Sequence, residues 1–173
     1  MPTAPKMQSM TQNKGKYTMS EQALRDLLIE ELQDTYSSET QIVAALPKMA
    51  EAATSTVLKQ AFQTHLQETQ NQVKRLELIF QKLQADPEGN TCEATQGLIA
   101  EAEEVIGEGL PGEVLDVALV MSAQKVEHYE IASYGSLRTL AQTCGLTDTA
   151  QLLEETLEEE KATDALGSDT LSA

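Results

Sequence analysis

Two histidines and twenty-eight acidic residues are the candidates for chemistry in this chain. They matter where they fall among residues that a helix, turning about 100° per residue, brings to its inward face. Glu39 lands on the stripe that carries Leu28, Leu32, Ile42 and Leu46, whereas Asp34 points away and Glu31 is a weaker inward candidate. His65 lies near the centre of a stripe bounded by Leu58, Ala61, Leu76 and Ile79, with Glu68 one turn on, so the pair reads H-x-x-E. Val117, Val120, Gln124, Glu127, Ile131 and Tyr134 advance by alternating threes and fours. This sets Glu127 inside a core-like face, flanked by Glu130, with His128 rotated off it. Within the acid run from Glu154 to Glu160, Glu160 shares a face with Leu153, Leu157 and Asp164, while Glu159 lies to one side.

An isolated ionised carboxylate in an apolar interior is prohibitive, so several at matching levels require a cation, shared protons or solvent. A pair of divalent metal ions supplies that cation. Glu39, His65, Glu68, Glu127, Glu130 and Glu160 offer carboxylate oxygens and one imidazole, a set suited to iron or manganese in a di-metal site. Each residue also has a blander role. A lone core histidine is commonly just hydrogen-bonded, a run of glutamates is commonly a solvated face, and Tyr134 reads as a core residue with a satisfied hydroxyl. His128 reads as a surface group or one that supports a ligand from behind.

The elements that must position these residues are all helical. Thr18 and Glu21 form a T-x-x-E capping box, after which apolar residues recur with helical spacing from Leu24 to Leu46. Pro47 predicts a bend or a weakened turn, and apolar spacing resumes at Met49. Thr54-Ser55-Thr56 separates this helix from a second, which ends at Asp86-Pro87-Glu88-Gly89. A crossover from Asn90 to Gly112 carries a short amphipathic stretch between Gly97 and Ile106, too short for a bundle helix. A third long helix is predicted from about Glu113 to Thr143, then Gly145 as a left-handed stop, then a fourth from Thr147 that fades after Leu166. Two helix pairs joined by one long connection carrying a short fifth helix make an all-α, ferritin-like four-helix bundle. It occupies residues 18–167, between a disordered N-terminal tail over 1–17 and a C-terminal tail over 168–173.

Composition agrees. Aromatics make up 3% of the 173 residues and there is no Trp, which leaves Ala, Leu, Glu and Gln to favour helix. The net charge of -16 repels phosphate backbones and concentrates cations, so metal ions are expected partners and nucleic acid is not. Cys92 and Cys144 lack any C-x-x-C spacing and read as reduced thiols. No apolar run reaches the ~20 residues of a membrane span and no secretory signal is visible, so no membrane association and a cytoplasmic location are expected.

The segments Asp34 to Glu39, His65 to Thr69, Gln124 to Gly135 and Thr156 to Ala162 resemble the bacterial YciE/YciF stress-protein family from about Ser20 to Leu166. That resemblance implies a ferritin-like bundle, a homodimer and a stress-response role. The wider ferritin-like pattern places one Glu on each of two helices and Glu-x-x-His on the other two. Glu39 and Glu127 match the single glutamates, but His65 precedes Glu68 in reversed order, and Thr163 stands where a histidine would follow Glu160. Two functions therefore compete: an iron or manganese protein that reacts with peroxide or oxygen or buffers metal, and a non-enzymatic structural or interaction protein with a vestigial metal site.

Overall fold

A computed structural model describes the backbone of residues 20–172 and the side chains of residues 20–167. The expected tail over 1–17 and the capping residue Thr18 lie outside the described residues. The elements are α1 (Glu21–Ala52), α2 (Thr56–Leu83), α3 (Glu93–Gly107), α4 (Gly112–Thr143) and α5 (Thr147–Ser172). There is no strand among the described residues.

Helix ends follow local chemistry, and several differ from the sequence reading. The first helix is capped by Ser20, whose hydroxyl accepts the Ala23 N–H. Pro47 sits inside α1 without ending it. Asp116 accepts the Thr54 and Ser55 N–H groups at 2.6 and 2.8 Å and the Thr54 hydroxyl at 2.7 Å, so α4 fixes the corner between α1 and α2. The crossover helix is longer than expected, and it starts where two contacts reach it from α1. The Cys92 N–H donates to Ser37 Oγ at 2.9 Å, and the Ser38 and Thr95 hydroxyls lie 2.6 Å apart. At the other end of the chain, α5 runs through Gly167 to Ser172 instead of fading after Leu166. Gly167 is a close approach to α4 instead of a stop: a Cβ there would lie 3.2 Å from Gln124 Cγ.

The bundle is two hairpins, α1 with α2 and α4 with α5, joined by α1 against α4 and α2 against α5. α3 lies across α1 and α4. Exposed ion pairs from Lys48 to Glu103 and from Lys125 to Glu101 pin it at its edges. Tyr129 adds a half-buried tie, donating to Asp34 Oδ2 at 2.9 Å and lying 3.1 Å from Cys92 Sγ.

Two apolar clusters fill the interior. One gathers Leu28, Leu32, Leu76, Phe80, Leu137 and Leu153. The other gathers Ile42, Leu46, Leu58, Phe62, Leu119 and Val120. Between them along the helices lie Glu39, His65, Thr69, Gln72, Glu127 and Glu130, all buried. The inward face of α4 is broader than the one read in the sequence, with Val120, Glu127 and Tyr134 buried as read. Val117 is 49% exposed, and Leu119, Ser122 and Glu130 turn inward, because α4 is packed by α1, α3 and α5 together and buries a broad face.

Candidate metal centre

Each helix of the bundle delivers at least one acid or imidazole to the same level. α1 brings Glu39, α2 His65, α4 Glu127 and Glu130, and α5 Glu160. All five are buried, with Glu39 and Glu160 at 0% exposure. One ligand atom from each of His65, Glu127, Glu130 and Glu160 falls within a group spanning 4.8 Å. His65 Nε2 lies 3.1 Å from Glu127 Oε1.

Glu39 stands beside this group, close enough to Glu130 to share a hydrogen bond with it. Its Oε1 also accepts the Tyr134 hydroxyl. Glu68 is set apart: its carboxylate is 46% exposed, on the far side of the imidazole, 3.8 Å from His65 Nδ1. His128 is on the surface, 3.3 Å from Asp164. Glu159, read as lying to one side, does so, held by Arg75 through contacts of 2.8 and 2.9 Å.

The sequence reading passed over Gln72 and Arg75. The Gln72 amide, 1% exposed, donates to Glu160 Oε1 and, at 3.2 Å, to Glu159 Oε2. Its signal was available: Gln72 follows His65 and Thr69 at spacings of four and three, the same face of α2. Arg75 also donates to Thr156 at 2.6 Å, so a half-buried cation braces α2 against α5 just outside the acid layer.

Burial raises the proton affinity of the carboxyls. Glu39 is pushed up to about 7 by burial, against the lowering effect of the Tyr134 hydrogen bond and of His65. Glu130 and Glu160 are raised well above the ordinary carboxyl value by burial and by their acid neighbours. For His65, burial favours the neutral ring, but the contact with Glu127, the nearby Glu68 carboxylate and the charges of Glu127 and Glu160 outweigh it and raise the ring to about 10. The hydroxyl of Tyr134 is likewise raised, by burial and by the Glu39 charge.

Counting hydrogen bonds leaves several atoms over. Glu39 Oε2, Glu127 Oε2, both oxygens of Glu130, Glu160 Oε2 and His65 Nδ1 are buried without a partner of good geometry. Pairs of carboxyls lie near enough to hold a proton between them, Glu39 with Glu130 and Glu127 with Glu160. Such a layer is neutralised either by protons or by a cation, and buried polar groups left open in this number call for one of the two. Its donor set, oxygen-rich with one imidazole, fits iron or manganese better than the thiolate-preferring metals.

Residues 23–171 match the profile of a family described as a domain of unknown function, DUF892. The chain belongs to the DUF892 family. Protein YciF of Escherichia coli K12 is 48% identical over 152 residues, spanning 84% of this chain and 89% of that protein. The crystal structure of that E. coli stress protein superposes with a TM-score of 0.83 at 48% identity, over 86% of this chain and 94% of the other. YcfI of Rhodopseudomonas palustris, provisionally assigned as a structural protein, superposes with a TM-score of 0.82 at 45% identity, over 88% and 97%. These DUF892 relatives support the expected family and the all-helical bundle, and they place a stress protein among its members. Among the described residues no helix is long and apolar enough to cross a membrane.

Proposed function

We propose that the buried layer of this DUF892 protein is a metal centre for iron or manganese, filled by two ions, and that it reacts with peroxide or oxygen or buffers metal during stress. The observation that carries this reading is the set of five unpartnered carboxylate oxygens on Glu39, Glu127, Glu130 and Glu160, all buried in one layer with His65 between two apolar clusters. His65, Glu127, Glu130 and Glu160 would hold the first ion, and Glu39 adjoins Glu130 as the acid for a second. Glu68 would act from behind, accepting from His65 Nδ1 to fix the ring for coordination through Nε2. A bound metal would supply one-electron redox chemistry. The protein contributes a fixed, mostly dry ligand set, with Gln72 and Tyr134 orienting Glu160 and Glu39 by hydrogen bonds. A homodimer belongs to the same reading by family resemblance, and a cytoplasmic location without nucleic acid by the sequence features and net charge given above.

The test is anaerobic titration with ferrous iron followed by exposure to air. The expected result is stoichiometric uptake and an absorbance change on oxidation, both reduced at least about tenfold in Glu130→Gln. Uptake without the change would leave metal buffering and remove the redox role.

A second reading rests on the proton-sharing pairs Glu39–Glu130 and Glu127–Glu160. In it the layer stays metal-free, and the protein is structural, as the provisional assignment of the R. palustris relative has it. Absence of iron and manganese binding at micromolar concentration, with a melting temperature indifferent to both, would favour it.

A further inference from the structure

One wall of the acid layer opens into a pocket that none of the ligand chemistry above explains. It lies beneath α3, between α1 and α4, with His65 and Glu127 at its inner end and the Lys48–Glu103 ion pair at its edge. The cavity volume is about 30 Å³. Its walls are aliphatic or sulfur-bearing, including Ile42, Met49, Leu98, Ala102 and Val126. The hydroxyl of Ser122, which also lines it, is already donated to the Ala118 carbonyl at 3.1 Å. The polar surface at the inner end is therefore the same imidazole and carboxylate that face the acid layer.

We infer that this pocket is a docking site for one small apolar molecule, dioxygen, held against the His65–Glu127 edge of the layer. Size admits it, since a single water needs only ~10–15 Å³ of such space. Chemistry then selects. Water or hydrogen peroxide entering the aliphatic part gives up hydrogen bonds that the walls cannot return, at roughly 1–3 kcal/mol for each group left unpaired. Dioxygen has no such bonds to lose, and moving an apolar solute out of water is favourable. The assignment rests on the metal reading for its chemical purpose, because dioxygen beside a redox metal is a reactant and beside protonated carboxyls is only a guest. It narrows that reading from peroxide or oxygen to oxygen.

Xenon, an apolar probe of dry cavities, tests the site without any metal. Crystals of metal-free protein under xenon pressure should show an anomalous peak between Met49, Ala102 and Val126, absent in Ala123→Leu, which fills the pocket from α4. Ala45→Leu fills it from α1 and serves if the first variant folds poorly. With ferrous iron loaded, either variant should oxidise at least about tenfold more slowly with dioxygen and within about twofold of the parent rate with hydrogen peroxide. In the dioxygen arm, two ferrous ions give one electron each and two protons are taken up, leaving two ferric ions and hydrogen peroxide, which added catalase removes. No xenon in the cavity, equal slowing by both oxidants, or no slowing at all would overturn the inference. Iron uptake without xenon would overturn the pocket alone. Xenon in a protein that takes up no iron would overturn the metal reading, and the dioxygen assignment with it.

Discussion

Glu39 shows how one side chain can carry several roles at once. It is fully buried, its proton affinity is raised by burial, and the Tyr134 hydroxyl partly reverses that rise by donating to the ionised form. Removing the donor in Tyr134→Phe should push Glu39 above its present value of about 7. A hydrogen bond to a charged acceptor is worth roughly 1.5–3 kcal/mol and one to a neutral acceptor about 1. The variant should therefore lose more stability at pH 8 than at pH 5, and a protonated-carboxyl infrared band should persist to higher pH than in the parent. Equal losses at the two pH values would show that the bond does not favour the ionised form. Glu39, His65, Glu127 and Glu160 were legible as inward residues because their helical phase is fixed by leucines and valines on both sides. Gln72 was not, since a neutral amide on a helix rich in Gln gives no contrast, and its importance appears only when Glu160 arrives opposite it from another helix.

At the scale of elements, periodicity located every helix, and the ends were where it ran out. At the start of α3, Ser37 of another helix satisfies the Cys92 N–H, and α5 passes Gly167, which lies against α4. Local signals cannot report a cap or a contact that comes from elsewhere in the chain. One end does carry a local cost. Gln84, the residue after α2, holds a left-handed φ of 55°, a conformation that favours glycine. Gln84→Gly should stabilise the protein by roughly 1 kcal/mol, read as a raised chemical-denaturation midpoint with an unchanged slope. A lowered midpoint would mean that the glutamine makes up for its backbone conformation.

For the whole molecule, the acid layer links stability to pH. In the metal-free protein, Glu39 rises from an ordinary 4.5 to about 7, Glu130 and Glu160 are raised in the same direction by burial and their acid neighbours, and His65 rises from 6.5 to about 10. A raised folded value means more protons bound folded than unfolded between the two values, so stability falls as pH increases through that interval. The glutamates act from pH 4.5 upward, and His65 adds its loss above 6.5. At ~1.4 kcal/mol per pH unit per proton, metal-free protein should be less stable at pH 8 than at pH 5 by roughly 3 kcal/mol or more. Bound metal holds the ligands deprotonated and reverses the trend, so the gain in melting temperature from Fe(II) or Mn(II) should grow from acid to neutral pH. Melts of stripped protein at both pH values check this; a metal-induced shift independent of pH would place any bound ion outside the layer.

If four helices assemble a buried metal centre between two apolar clusters, anomalous scattering at the iron edge from a crystal grown with ferrous iron will show it. A peak is expected within the group formed by His65, Glu127, Glu130 and Glu160, with a second toward Glu39. Density for those side chains with no anomalous peak among them, and iron confined to surface carboxylates, would contradict it.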